Sequence, residues 1–168
     1  VDLVLAPIRS DDAGAGLKVR ALFDDTFVVI MRQGHPLARR KLTLRAYAEA
    51  QHAFIAPRGT LGGVVDEELA KHGLSRRVAL ALPNFAIVPH VIATTDLVCT
   101  LPVRVAKSYA ALLPLHVTEP PLDVPAFTIS MAWHERLARD PGHAWLRERL
   151  VELFGRRGGR KSPSRNDH

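Results

Sequence analysis

Apolar residues in this chain fall in short runs separated by polar punctuation, and the period of each run indicates the element it can form. Val1 to Leu5 reads as a buried strand that stops at Ala6-Pro7, followed by a polar loop from Arg9 to Gly16. Leu17, Val19 and Ala21 alternate with polar positions, and Thr26 to Met31 is a β-rich run that ends before the turn Gly34-His35-Pro36. Thr43 is placed to cap a helix whose apolar face is Leu44, Tyr47 and Ala48. Ala53 to Ala56 is the next strand. Beyond it, Val65 and Leu69 fall one helical turn apart, and Gly73 stands where a helix stops.

The second half repeats this grammar without repeating the sequence. Val78 to Leu82 is a strand ending at Pro83, and Asn84 is placed to cap a helix from Phe85 to Ala93. Asp96 to Pro102 is a largely apolar strand, with a helix running from Pro102 to about Tyr109. Leu115 to Val117 and Phe127 to Trp133 are strands on either side of a proline-rich crossing at Pro120, Pro121 and Pro125. Asp140 and Pro141 open a closing helix with Leu146, Leu150, Leu153 and Phe154 as its apolar stripe. Strands alternating with helices at short spacing predict an α/β fold with mainly parallel sheets. The stretches near 17–27 and 120–127 read as two passages between lobes, which leaves a self-contained unit over residues 27–120. A buried strand as the opening element needs neighbours on both sides, so the expectation is a fragment, or a chain whose natural N-terminal part is absent.

Composition changes this picture in two places. The net charge of +6 is concentrated in the last fourteen residues, where Arg156, Arg157, Arg160, Lys161 and Arg165 face Asp167 alone; the remainder is close to neutral. Residues 155–168 therefore read as a disordered basic tail rather than part of a nucleic-acid-binding surface. The single cysteine, Cys99, sits in the apolar run "LVCTLP", which excludes a disulfide framework and fits a cytoplasmic setting. No apolar run is long enough to span a membrane, so no membrane partner is expected.

Candidate chemistry concentrates at strand ends. "PRGTLGG", from Pro57 to Gly63, has neither the Gly-Lys-Ser/Thr ending of a phosphate loop nor the glycine spacing of a dinucleotide loop. It still joins a strand end to a helix start, where unpaired N–H groups favour an anion. Ligands of α/β sheets sit outside the carboxyl ends of strands, and Ala6-Pro7, Pro83-Asn84-Phe85 and Leu101-Pro102 are further such ends. The histidines lack metal-ligand spacing: His134-Glu135-Arg136 has no second histidine in register. No serine sits in a nucleophile elbow. No catalytic residue, metal site or cofactor is expected. Trp133 and Trp145 read as core or interface anchors.

Taken in order, "LFDDTFVVIMRQGHPLA", "PRGTLGGVVDEELAKHGL", "RRVALALPNFAIVPHVIATTDLVCTLPVRVA" and "FTISMAWHERLARDPGHAWLRERL" resemble the effector-binding domain of LysR-type transcriptional regulators, over Val1 to about Phe154. The resemblance implies a type 2 periplasmic-binding-protein-like fold, with residues 1–26 and 121–154 as a partial lobe I and 27–120 as lobe II. It implies a cleft for a small aromatic or carboxylate effector. The contacts carried over are Pro57, Arg58, Gly59, Thr60, Gly62, Asn84, Phe85, Leu101 and Pro102 from lobe II, and Pro7 and Trp133 from lobe I. Proline at position 7 removes a donor, which favours an effector with fewer charges than a dicarboxylate. The resemblance also implies homodimers or tetramers, and DNA contact only through a helix-turn-helix domain that lies outside this sequence. Two other readings stay open: a solute-binding protein of a transporter with the same fold, and a non-sensing remnant or interaction partner of a full-length regulator.

Overall fold

The computed structural model describes residues 2–8, 14–56 and 62–155. The chain divides into two compact units: Val1–Asp25 with Phe127–His168, and Thr26–Ala126.

The first unit is a three-stranded sheet with one helix. Strand β1 (Leu3–Ala6) and strand β2 (Leu17–Asp25) flank strand β8 (Phe127–His134), both antiparallel to it. The register pairs Leu3 and Lys18 with Trp133, and it slips by one residue between Ala21 and Phe23, a bulge on β2. Met131 and Ala132 are buried at the centre. Helix α5 (Pro141–Gly155) begins as expected, with the Asp140 carboxylate accepting from the His143 amide at 2.7 Å. Its inward face differs from the expected stripe. Leu150 and Phe154 turn inward, and Phe154 meets Phe23 at 5.1 Å between rings, but Leu146 and Leu153 are exposed. Arg147 takes the middle of that face. Its guanidinium lies 4.8 Å over Trp133 and donates to the carbonyls of Leu137 and Ala138. A hydrophobic pattern assigns a charged residue to solvent, but a long arginine stem can pack like an apolar one.

The second unit is a sheet covered on both faces. Strand β3 (Phe27–Arg32) lies between β6 (Cys99–Pro102) and β7 (Leu115–Thr118), antiparallel to both. Strand β4 (Gln51–Ile55) pairs in parallel with β5 (Arg77–Leu82) and reaches β6 through a parallel bridge from His52 to Val98. Helices α1 (Leu44–Glu49) and α2 (Val64–Lys71) cover one face; Tyr47, Ala48, Val65 and Leu69 pack there with Val29, Met31 and Val98. Helices α3 (Val88–Thr94) and α4 (Val103–Ala110) cover the other, where Val88, Ile92 and Ala106 meet Ile30, Cys99 and Leu101. The alternation of side chains along β3 divides these two cores.

The expectation of mainly parallel sheets needs correcting: four of the five strand pairings among the described residues are antiparallel. In the second unit, strands β4, β5, β6 and β7 are joined by helical crossovers and run in one direction, as such connections require. Strand β3 runs against them and sits between β6 and β7, so it alone contributes two antiparallel pairings. In the first unit β8 likewise lies between two strands running the opposite way. Helical spacing in sequence reports the direction of the strands it links, not which strand is inserted between them.

A candidate effector recess

The strand ends singled out by sequence belong to different surroundings. In the second unit, β4 ends at Phe54 and Ile55, Gly63 leads into α2, and the end of β6 supplies Thr100 and Pro102. These surround a recess of about 140 Å³, closed by Phe27, Phe85, Val65 and Arg76. Two expected contacts, Phe85 and Pro102, line it. Leu101 does not: it is buried on the opposite face of β6, in the core with Ile92 and Ala106, because neighbouring residues of a strand face opposite ways. Asn84 serves the backbone instead. Its side-chain oxygen accepts from the amides of Ala86 and Ile87, which shapes the turn into α3. That helix starts at Val88, three residues later than sequence suggested.

Gly62 adopts a left-handed conformation (φ 106°) just before Gly63, the N-cap residue of α2. Gly63 offers no side-chain cap to α2, and its own backbone N–H donates to the Asp66 carboxylate. Pro57, Arg58, Gly59 and Thr60 lie outside the described residues, as does the tail from 156 on. Pro7 and Trp133 belong to the first unit. Pro7 forms the bend after β1, with the Ile8 amide donating to the Ala6 carbonyl at 2.8 Å. Trp133 is sandwiched between β1 and β2 under Arg147, and its indole N–H is buried with no partner among the described residues.

Sequence reasoning missed two polar residues of the recess. Arg76 has a side chain only 3% exposed. It donates through Nε and Nη2 to the two oxygens of Asp66, both at 2.8 Å, and its guanidinium lies 5.1 Å over Phe54. The doublet Arg76-Arg77 reads as a charged flank of β5, and nothing in the pattern shows that only the first arginine turns inward. Thr100 was more accessible to inference, as the hydroxyl in an apolar run whose neighbours Cys99 and Leu101 face the core. Its Oγ1 lies 2.6 Å from the Tyr47 hydroxyl.

Charge behind the recess is arranged around Arg76. The hydrogen bonds from Arg76 hold the Asp66 carboxyl below the usual range, against the opposing effect of partial burial. His52 is fully buried, donates through Nε2 to the Tyr47 carbonyl at 2.8 Å and has its pKa lowered to about 4, chiefly by burial. Burial also pushes the Cys99 thiol up to about 12, so it is no nucleophile at neutral pH. Among the described residues there is no cluster of histidine, cysteine and carboxylate side chains fit for a metal, and no helix long and apolar enough to cross a membrane.

The family model for the LysR substrate binding domain matches residues 1–155. The chain belongs to the LysR substrate-binding domain family. This LysR domain is 35% identical over 152 residues to the transcriptional regulator SyrM 1 of Sinorhizobium fredii, covering 90% of this chain and 44% of that protein. It is 33% identical over 154 residues to the transcriptional activator NagR of a Ralstonia species, covering 92% and 50% respectively. The chain thus spans about half the length of the curated relatives it matches. Among solved structures, the regulatory domain of MexT, a transcriptional activator of Pseudomonas aeruginosa, superposes with a TM-score of 0.77 at 31% identity, over 91% of this chain and 72% of that one. The fold is therefore that of LysR regulatory domains, like type 2 periplasmic binding proteins. The domain is a regulatory one and not an enzyme.

Proposed function

We propose that this chain is the ligand-sensing part of a cytoplasmic transcription factor and that its second unit holds the effector at the recess beside Phe54, Phe85 and Thr100. On this reading residues 27–120 form lobe II, and residues 1–26 with 121–154 belong to lobe I. The observation that carries the proposal is the recess itself. It lies at the carboxyl ends of β4 and β6, against the start of α2, where an α/β sheet offers N–H groups to a ligand. A volume of about 140 Å³ is close to that of cavities of about 150 Å³ that hold one benzene ring. Phe27, Phe54 and Phe85 supply the aromatic wall.

Arg76 is the charged side chain lining this recess, and Asp66 already neutralises it. A ligand carboxylate would thus face the helix-start N–H groups and no unpaired cation among the described lining residues, and a second carboxylate would have neither. The favoured effector is thus a single-ring aromatic acid. Isothermal titration calorimetry with benzoate and succinate tests this. Benzoate should bind more tightly, and tighter succinate binding overturns the reading. DNA recognition is assigned to a part of the regulator outside the matched region, and the active form to a homodimer or tetramer.

A further inference from the structure

We infer that Thr100, oriented by the buried Tyr47, reads the polar group of the ligand and selects one that carries a hydrogen-bond acceptor. This rests on the recess being the effector site. Tyr47 and Thr100 bring two hydroxyl groups to 2.6 Å. Two protons are available and the contact uses one, so one hydroxyl keeps a proton to donate elsewhere.

Which hydroxyl keeps it follows from the surroundings. Tyr47 is fully buried among Val29, Met31, Val65 and Val98, with the edge of the His52 ring 4.7 Å away between centroids. Among the described residues His52 Nδ1 has no hydrogen-bond partner, so the phenol does not donate to it. A phenol proton withheld from Thr100 would sit unpaired in apolar packing, which is unfavourable. Burial raises the Tyr47 pKa and keeps that proton on the ring oxygen. The phenol is also the more acidic hydroxyl and the better donor. Tyr47 therefore donates and Thr100 accepts. Thr100 lines the recess together with Pro102, while Cys99 and Leu101 face the other core. Its remaining O–H has the recess as its outlet, so the recess presents a donor whose direction is set by a residue that never touches the ligand. The matching ligand is one ring bearing a carbonyl, carboxylate or phenolate oxygen.

The test uses the full chain with two probes of similar size, benzamide (acceptor present) and toluene (acceptor absent), titrated by NMR. Thr100→Val should weaken benzamide about 3- to 10-fold, the range of one hydrogen bond, and leave toluene unchanged. Thr100→Ser should restore benzamide binding. Tyr47→Phe should weaken benzamide by a smaller factor with toluene unchanged, an effect that loss of packing alone would not separate. If Thr100→Val does not fold, Thr100→Ser and Tyr47→Phe decide the matter. Equal losses for both probes in Tyr47→Phe overturn the orienting role, and a folded Thr100→Val that binds benzamide as before overturns the acceptor reading. If neither probe moves the resonances of Thr100, Phe54 and Phe85 in the unaltered protein, the effector recess falls and this inference with it. Shifted resonances with equal sensitivity of both probes to Thr100→Val sink only the inference.

Discussion

Arg76 decides how much charge the recess can show. It is buried and held by two bonds to Asp66, whose side chain keeps 33% exposure. Removing one partner of a buried pair strands the other charge and costs about 3–5 kcal/mol when both are fully buried. Asp66 is partly solvated, so Asp66→Asn should lower stability by about 2–3 kcal/mol, read from the midpoint of urea unfolding. A loss below that of an ordinary surface substitution would show that the pair is not structural. His52 makes a second measurable claim. Its pKa falls from 6.5 to about 4 on folding, so the unfolded chain takes up its proton first. The contribution is complete above about pH 6.5 and is lost as the pH drops toward 4, by about 3 kcal/mol in all. In His52→Gln, where an amide can take the place of Nε2, the slope of stability between pH 6.5 and 4 should flatten. At this scale the sequence showed that Cys99 is buried and that Phe85 and Pro102 lie at a strand end. It did not show that Leu101, one residue away, faces the opposite core, because that depends on the phase of β6.

Capping chemistry is local, and the elements most legible in sequence are those with good caps. Thr43 Oγ1 accepts from the Ala46 amide, as its position before "LRAY" implied. Gly73 ends α2 with φ 68°, while the amides of Gly73 and Leu74 bond back to Ala70 and Leu69. That pair of bonds is the Schellman arrangement, and it requires the left-handed conformation that glycine adopts without strain. Nothing lies near a Cβ built on Gly73, so Gly73→Ala isolates the backbone cost. It should lower the thermal midpoint with a loss of about 1 kcal/mol, whereas an unchanged midpoint would mean that the helix end relaxes freely. The closing helix shows the limit of such reading: its start was legible from Asp140 and Pro141, but its inward face was not, since Arg147 packs on Trp133.

At the scale of the whole molecule, the first unit leaves apolar surface uncovered. Val4 and Leu5 on β1, Leu17 on β2, and Trp145 and Leu153 on α5 are exposed, the last two at 61% and 67%. Surface of this kind favours association. Light scattering after size exclusion should show an apparent mass that rises with concentration, and Leu5→Lys combined with Trp145→Glu should lower it. A mass that stays monomeric at all concentrations would contradict the proposed oligomer.

The sequence by itself determined the local alphabet of this protein: which runs are strands, where the well-capped helices begin and stop, and, through ordered motifs over most of the chain, the family. Those properties depend on neighbours in the chain, on side-chain period and on capping. Tertiary structure alone decided that β3 and β8 are each inserted between strands running the other way, that Arg76 turns inward while Arg77 does not, and that Tyr47 meets Thr100 across 53 positions. Each depends on which distant residues share a face, and the chemistry of the recess follows from that placement.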